Sequence, residues 1–380
     1  MKKLRILLIT RNLPPLIGGM ERLNWHIVDE LSKGHQISIV SHSQARLTAP
    51  KNSTFYGAPL NPLPLFLMCA FFQTFWLCLF QRPDILFAGS GLTAPIAVFW
   101  AKIFRKKSIV YIHGLDIGTD NKFYNMLWVP LIRRADRVIA NSFPTYDICI
   151  RKGIHDAKLH IIHPGVSYPP KSKDEQLILK LIMQHQLQGK NILISVGRLT
   201  QRKGLNEYID LSFSEIVKKI PNTVLMIIGD TPNQSLNKNL QSKELILSTV
   251  KKHGLENNII FTGNISNDDI LSSFYYLADI HIFPVKHIPD DPEGFGMVAV
   301  EAAAHGTPTI AFSTGGIVDA VQNENTGYLI ENQDYQKMTT SIIRILENKT
   351  IISEQKCMQY AEQFAWYNLK IKFEKVIVSL

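Results

Sequence analysis

The sequence is poor in the residues that build covalently or metal-stapled folds. It has four cysteines, Cys69, Cys78, Cys149 and Cys357, with no C-x-x-C pair and no His/Cys spacing of a zinc site. That set predicts free core thiols in a reducing, cytoplasmic compartment and excludes a disulfide scaffold. No Asp-x-Asp closes an apolar run. The nearest acidic cluster, Asp290 and Asp291 in "PDDPE", sits in a proline-rich loop and makes a poor clamp for a divalent cation. No low-complexity tract and no repeat period appears, which excludes a solenoid. Charged residues are only 19% of the chain, and none stands between Lys51 and Arg82. The start, "MKKLRILLIT", is basic, but its apolar run is short and Arg11 closes it, so a buried first strand is expected rather than a signal peptide. No motif interleaves aromatic and basic residues, so binding to nucleic acid has only the net charge of +9 behind it.

What is present is an alternation of strand and helix patterns over 380 residues, too long for one ordinary core. "RILLIT" is a fully apolar run of the kind a buried parallel strand requires. "HQISIVS", "DILFAG", "SIVYIHG", "DRVIANS" and "LHIIHPG" follow, separated by helical stretches. After Pro169, Pro170 and a charged helix read as a linker, the pattern restarts with "NILISVG", "TVLMIIGD", "NIIFTG", "IHIFPV", "PTIAFS" and "GYLI". The fold class expected is α/β, with two Rossmann-like doubly wound parallel sheets facing a central cleft. The expected domains are 1–168 and 169–365, with a last helix near 366–380 that begins around Trp366. Ligands of such sheets bind at the carboxyl ends of the strands, so the loops that follow strands carry the information.

Three of those loops suit anions. "PPLIGGME" places Gly18 and Gly19 before a helix, where backbone N–H groups can approach a ligand. "GRLTQRKG" places Arg198 directly after an apolar strand and Lys203 before Gly204, a planar fork and a point charge suited to a diphosphate; Arg202 is read as solvent-facing. "EGFGMVAVEAAAHGTP" opens a small apolar helix, and the amides of Gly296, Met297 and Val298 can face a phosphate there. Two carboxylates frame that entrance. Carboxylates repel phosphate and accept from hydroxyls, so Glu301, inside the helix, suits a ribose, and Glu293, before the turn, suits a sugar. His113 ends a strand whose loop opens on the expected cleft and can orient a sugar hydroxyl, whereas His163, beside Pro164 and Gly165, reads as a turn residue.

With these pieces together the chain resembles the large GT-B glycosyltransferase family 4, a retaining family that includes sucrose-phosphate synthases and bacterial mannosyl- and glucosyltransferases. The matching stretches are "PPLIGGME", "YIHGLD", "IANS", "IHPGV", "GRLTQRKG", "IIGD", "FTG", "EGFGMVAVEAAAHGTP" and "GGIVDAV". The resemblance implies a nucleoside-diphosphate sugar as donor, held mainly by the second domain, with retention at the anomeric carbon and no cofactor or catalytic metal. It implies diphosphate contacts from Arg198 and Lys203, with Gly197 beside them, and a ribose contact from Glu301. It further implies a sugar contact from Glu293, a donor loop at Phe295, Gly296, Met297 and Val298, a phosphate-side loop at Gly18 and Gly19, and an active-site histidine at His113. It also implies that the last helix returns to the first domain. One departure is "FAGSG" after the fourth strand, where many relatives carry a histidine; that region faces the acceptor, so acceptor analogies do not carry over.

The apolar segment "LPLFLMCAFFQTFWLCLF", residues 63–80, lies between two strands of one sheet. Three readings stand for it: a helix buried in the domain, a helix resting on an anionic membrane surface near the basic "FRKK", and a membrane span. The second goes with a glycan or lipid-linked acceptor at the inner face of the cytoplasmic membrane, in synthesis of a bacterial cell-surface polysaccharide or lipopolysaccharide. Alternatives are a small soluble acceptor such as a sugar phosphate or inositol phosphate, and a NAD-dependent oxidoreductase built on Gly89, Gly91 and Ala94 in "AGSGLTA".

Overall fold

The apolar runs read as strands all form strands, and the pairing puts them into two sheets in the computed structural model, which describes residues 3–119, 121–231, 243–289, 291–348 and 352–380. The first sheet contains β1 (Arg5–Ile9), β2 (Gln36–His42), β3 (Ser53–Ala58), β4 (Ile85–Ala88), β5 (Lys107–Ile112), β6 (Arg137–Ala140) and β7 (Leu159–Ile161). The second contains β8 (Asn191–Val196), β9 (Thr223–Ile228), β10 (Ile259–Gly263), β11 (Ile280–Phe283), β12 (Thr309–Phe312) and β13 (Gly327–Ile330). Their orders are β3-β2-β1-β4-β5-β6-β7 and β10-β9-β8-β11-β12-β13. Every pairing is parallel. Strand order therefore reverses direction between β1 and β4 and again between β8 and β11, the places where such sheets open a crevice for ligands.

The chemistry of a doubly covered sheet is visible in the second core. Leu193, Leu225, Ile227, Ile280 and Ile282 pack on one face. Their neighbours Ile192, Ile194, Val224, Met226 and Ile228 pack on the other. Successive side chains of a strand point to opposite faces, so both sets must be apolar when helices cover both sides.

The chain divides into two units, one made of Met1–Gly165, Asp290–Phe295 and Trp366–Leu380, the other of Val166–Pro289 and Gly296–Ala365. The division thus falls between residues 165 and 166 rather than 168 and 169, and the segment ending at Phe295 joins the first unit. Helix Glu175–Gln184, expected as linker, belongs to the second unit and buries Ile178 and Leu181. Its apolar stripe is what the charged surroundings hid. β3 was not expected either: "STFYGA" is polar and only half-buried because it forms the sheet edge.

Within the first unit the last helix, Trp366–Val378, packs on helix Gly19–Ser32. Trp366 stacks on His26 with centroids 3.9 Å apart, Phe373 packs against Phe87 and Tyr111, and Glu374 meets His35 at 3.1 Å. The apolar segment is one helix, Leu63–Phe80, which alone among the described residues is long and apolar enough to cross a membrane by length and composition. It buries a single stripe, Phe66, Ala70, Thr74, Leu77 and Cys78. The reading of a helix mostly buried in its domain therefore fails on the opposite face, where Phe72, Trp76 and Phe80 are 56%, 54% and 76% exposed.

Candidate active site

The second unit assembles the anion-binding loops around one aromatic ring. β8 ends at Val196, and Gly197 follows with φ of +142°. Gly197 donates its N–H to Ile228, and Leu199 donates to Asp230 at 3.0 Å, so the loop after β8 is tied to the loop after β9. A Cβ on Gly229 would lie 2.1 Å from the Gly197 carbonyl oxygen, which is why a glycine stands at the end of β9. Arg198 is exposed. Gln201–Lys203 forms one tight turn closed by Gly204 in the left-handed region, φ +63°, and a Cβ there would meet the Pro284 oxygen at 2.3 Å. Lys286 pins the same turn: its N–H donates to Arg202 at 2.8 Å, and its ammonium donates to Glu207.

Phe283, at the end of β11, is the ring in question. It is 1% exposed. Lys203 Nζ stands 4.5 Å from its centroid, a cation over an aromatic face. Gly296, φ +92°, leans on its other atoms, since a Cβ there would sit 2.9 Å from Phe283 Cε1. Gly197, Arg198, Lys203 and Phe283 line one hollow. Gly296 then opens helix Met297–Ala304, with Met297 and Val298 half-buried at its first turn. Glu301, 6% exposed, accepts from the Tyr275 hydroxyl at 3.1 Å. A cationic loop and a helix N-terminus thus share one aromatic support, and a buried carboxylate lies further along that helix, as a diphosphate followed by a ribose would require.

The first unit positions the histidine. His113, 7% exposed, follows β5, and its Nε2 lies 3.0 Å from the Gly89 carbonyl oxygen in the loop after β4. A carbonyl only accepts, so in the neutral imidazole Nε2 carries the proton and Nδ1 can accept from a hydroxyl. Gly91 of the same loop donates its N–H to Asp116 Oδ2 at 2.8 Å. Gly114, φ +74°, lets the chain turn under Gly294, whose own Cβ would lie 2.6 Å from Asn141 Nδ2 and 3.1 Å from the His113 oxygen. Glu293, half-buried, is thereby carried to the His113 loop, and Phe295, 3% exposed, stacks on His163 with centroids 5.2 Å apart. Gly18 and exposed Gly19 start helix Gly19–Ser32, and a Cβ on Gly18 would lie 2.4 Å from Glu21 Oε2.

The expected residues accordingly form two groups: Gly197, Arg198, Lys203, Gly296, Met297, Val298 and Glu301 in the second unit, and Gly18, Gly19, His113, Glu293 and Phe295 in the first. Two readings are corrected. Arg202 is half-buried rather than solvent-facing, because its carbonyl is held by Lys286 and its Nε is enclosed. His163 is more than a turn residue, since its ring supports Phe295 and its Nδ1 lies 3.2 Å from the Asn141 oxygen. Phe283 and Asn141 were missed. An aromatic residue ending an apolar strand looks like core, and the only signal for Asn141 was the polar pair closing "IANS". Among the described residues no group of three or more His, Cys, Asp or Glu is placed to hold a metal ion, and Asp290 lies outside them.

Comparison with known proteins agrees with this arrangement. The family described as "Glycosyl transferases group 1" matches residues 180–364. "Glycosyltransferase Family 4" matches residues 17–168. The chain belongs to glycosyltransferase family 4. It is 24% identical, over 89% of its length and 88% of the relative's, to a GDP-mannose-dependent alpha-(1-6)-phosphatidylinositol monomannoside mannosyltransferase of Mycolicibacterium smegmatis. It is 25% identical, over 92% of its length and 89% of the relative's, to the capsular polysaccharide biosynthesis glycosyltransferase CapM of Staphylococcus aureus. Its fold matches the crystal structure of Anabaena Alr3699/HepE in complex with UDP, with a TM-score of 0.81 and 20% identity over 99% of this chain and 100% of that one. The fold is GT-B, and the protein is a glycosyltransferase that uses a sugar nucleotide in glycan, polysaccharide or glycolipid synthesis.

Proposed function

We propose that the protein is a retaining, metal-independent hexosyltransferase. It moves a hexose from a nucleoside-diphosphate sugar to a glycan or lipid-linked acceptor of cell-surface polysaccharide or lipopolysaccharide synthesis, at the inner face of the cytoplasmic membrane. The observation that carries the reading is the shared support of Lys203 and Gly296 on Phe283, which puts an ammonium and a helix N-terminus on one ring. Arg198 and Lys203 stabilise the charge that grows on the leaving diphosphate, in place of a metal ion. As the bond from the anomeric carbon to the diphosphate oxygen breaks, the acceptor oxygen bonds to that carbon on the same face, and the acceptor's proton passes to the leaving phosphate. His113 Nδ1 and Glu293 accept from sugar hydroxyls, and Glu301 accepts from the ribose.

The UDP bound in the Anabaena structure and the GDP-mannose named for the Mycolicibacterium enzyme support a nucleotide sugar as donor. The phosphatidylinositol mannoside and capsular names of the relatives support a lipid or polysaccharide acceptor. Membrane contact is supported by the exposed face of helix Leu63–Phe80, extended by Phe99 and Ile103 at 41% and 59% exposure, with exposed Arg82, Lys102 and Arg105 nearby in sequence. The oxidoreductase reading has no support in the loop it needs: Gly91 spends its N–H on Asp116, and a dinucleotide pyrophosphate requires that amide. The test is nucleoside diphosphate release from UDP-, GDP- and ADP-hexoses in excess EDTA. One donor should be turned over with the metal chelated. Activity lost in EDTA and restored by Mn²⁺ or Mg²⁺ overturns metal independence, and no release from any donor overturns the reading.

A further inference from the structure

At the carboxyl end of β1 the first unit buries a guanidinium to which it gives almost nothing. Arg11 is 7% exposed. Its hydrogen bond among the described residues runs from Nη2 to Asn61 Oδ1 at 3.4 Å, near the limit of such a bond, and its Nε has no partner. It forms no ion pair there: Glu21 acts on it only at longer range and spends Oε1 on Asn12 Nδ2 at 2.8 Å. Burying a charge without a partner is among the costliest arrangements in a folded chain, and a purely structural arginine is normally paired.

A second unpartnered group stands near it. His42, at the end of β2, is fully buried; its Nε2 lies 3.0 Å from the Leu13 oxygen, and its Nδ1 has no partner. The carbonyl fixes the proton on Nε2, so Nδ1 offers a lone pair. Burial, and also the charge of Arg11, hold this imidazole below its usual pKa and so neutral. Arg11, His42 and Asn61 follow β1, end β2 and follow β3, at the strand ends where parallel sheets bind ligands. Asn61 also directly precedes Pro62, the cap of the apolar helix Leu63–Phe80.

We propose that Arg11, held by Asn61 and flanked by His42, binds a phosphate group carried by the acceptor. This rests on the proposed function, in which the donor is held mainly by the second unit and the first unit is left to the acceptor. The guanidinium supplies a two-pronged donor edge, and His42 Nδ1 accepts the proton of a singly protonated phosphate oxygen. A carboxylate, which only accepts at neutral pH, leaves that lone pair unused, so the pair selects phosphate.

The test uses the full chain carrying Arg198→Ala, which weakens the diphosphate loop of the second unit, titrated with inorganic phosphate and followed by thermal unfolding and phosphorus NMR line width. Saturable binding is expected, weakened about tenfold or more by Arg11→Gln. Asn61→Asp should weaken it equally, because it leaves Arg11 in place and gives it a carboxylate partner. Arg11→Lys keeps the charge without the fork and should weaken it less. Equal phosphate affinity in all these proteins overturns the proposal. So does loss in Arg11→Gln with retention in Asn61→Asp, the pattern of a brace whose removal loosens the fold. Displacement of inorganic phosphate by hexose 6-phosphate at similar concentration identifies a soluble phosphate ester. Binding that strengthens only with vesicles containing phosphatidic acid, against vesicles of equal charge containing phosphatidylserine, places the phosphate on a lipid; either outcome supports the site. Nucleoside diphosphate affinity separates the two readings: Arg11→Gln alone should leave it unchanged, whereas an Arg198→Ala without effect on it indicts the donor assignment and not this one.

Discussion

Glu293 and Glu301 stand eight residues apart around one helix entrance, yet they belong to different units, and this predicts that substitution separates their roles. Glu301 is 6% exposed on helix Met297–Ala304, whose entrance at Gly296 rests on Phe283, the ring under Lys203. A hydrogen bond from a ribose hydroxyl to such an enclosed carboxylate is worth about 1.5–3 kcal/mol. Glu301→Ala should therefore weaken the bare nucleoside diphosphate by roughly 10–150-fold, since about 1.4 kcal/mol corresponds to a factor of ten. It also removes the acceptor of the Tyr275 hydroxyl at 3.1 Å, so a stability loss of about 1–3 kcal/mol should accompany it. Glu301→Gln keeps an oxygen for Tyr275 and serves as the control for that loss. Glu293 is half-buried against the His113 loop, where a bare nucleotide offers it nothing. Glu293→Ala should leave nucleoside diphosphate affinity within a factor of about two while lowering turnover strongly, because the contact it removes matters only when a sugar is reacting. Calorimetry with the nucleoside diphosphate and steady-state rates on the three variants decide the matter. Equal loss of nucleotide affinity in both alanine variants with turnover preserved would refute the division of labour and leave the two carboxylates as helix-end electrostatics.

The buried histidines predict an acid-sensitive fold. Burial, with a further contribution from Lys203, pushes His281 from 6.5 down to about 3, and burial does the same to His26. Each stays neutral in the native state but takes up a proton on unfolding below its ordinary pKa, so stability is complete above about pH 6.5 and falls as pH drops toward 3, by up to about 1.4 kcal/mol per pH unit for each group. Urea unfolding at pH 7 and pH 4.5 should show a smaller acid loss in His281→Gln than in the unsubstituted protein; identical losses would refute the assignment. Sedimentation with anionic vesicles should be reversed by high salt and reduced by Trp76→Asp and Phe80→Asp, substitutions at exposed positions that change stability by no more than about 0.5 kcal/mol. Equal sedimentation with neutral and anionic vesicles would refute the electrostatic part of membrane contact.

The fold was legible because parallel strands buried on both faces must be continuous apolar runs, and twelve of the thirteen strands announce themselves that way. β3 did not, since an edge strand needs no such run. The candidate site was legible in its glycines and charges for a related reason: Gly197, Gly204 and Gly296 adopt positive φ, which few other residues tolerate. The aromatic side chains that support those loops, Phe283 under Lys203 and His163 under Phe295, carry no such mark. Phe283 has the sequence context of an ordinary core strand and His163 that of a turn, and only the folded chain shows which atoms the loops rest on.

The same physics accounts for the Arg202 and Lys203 pair. Neighbouring cations in a polar loop are indistinguishable by composition, and reading one as solvated and the other as functional rested on the place of Lys203 directly before Gly204. In the structure the turn Gln201–Lys203 is fixed at both ends, by Gly204 closing on Pro284 and by Lys286 donating to the Arg202 oxygen. Once the turn is closed in that way, Lys203 has its ammonium over the Phe283 ring. Lys286, a few residues beyond Phe283, is paired with Glu207. Both lysines hold the loop in place, Lys203 through the Phe283 ring and Lys286 through Glu207 and the Arg202 oxygen, and Lys203 is the one that lines the hollow beside Arg198.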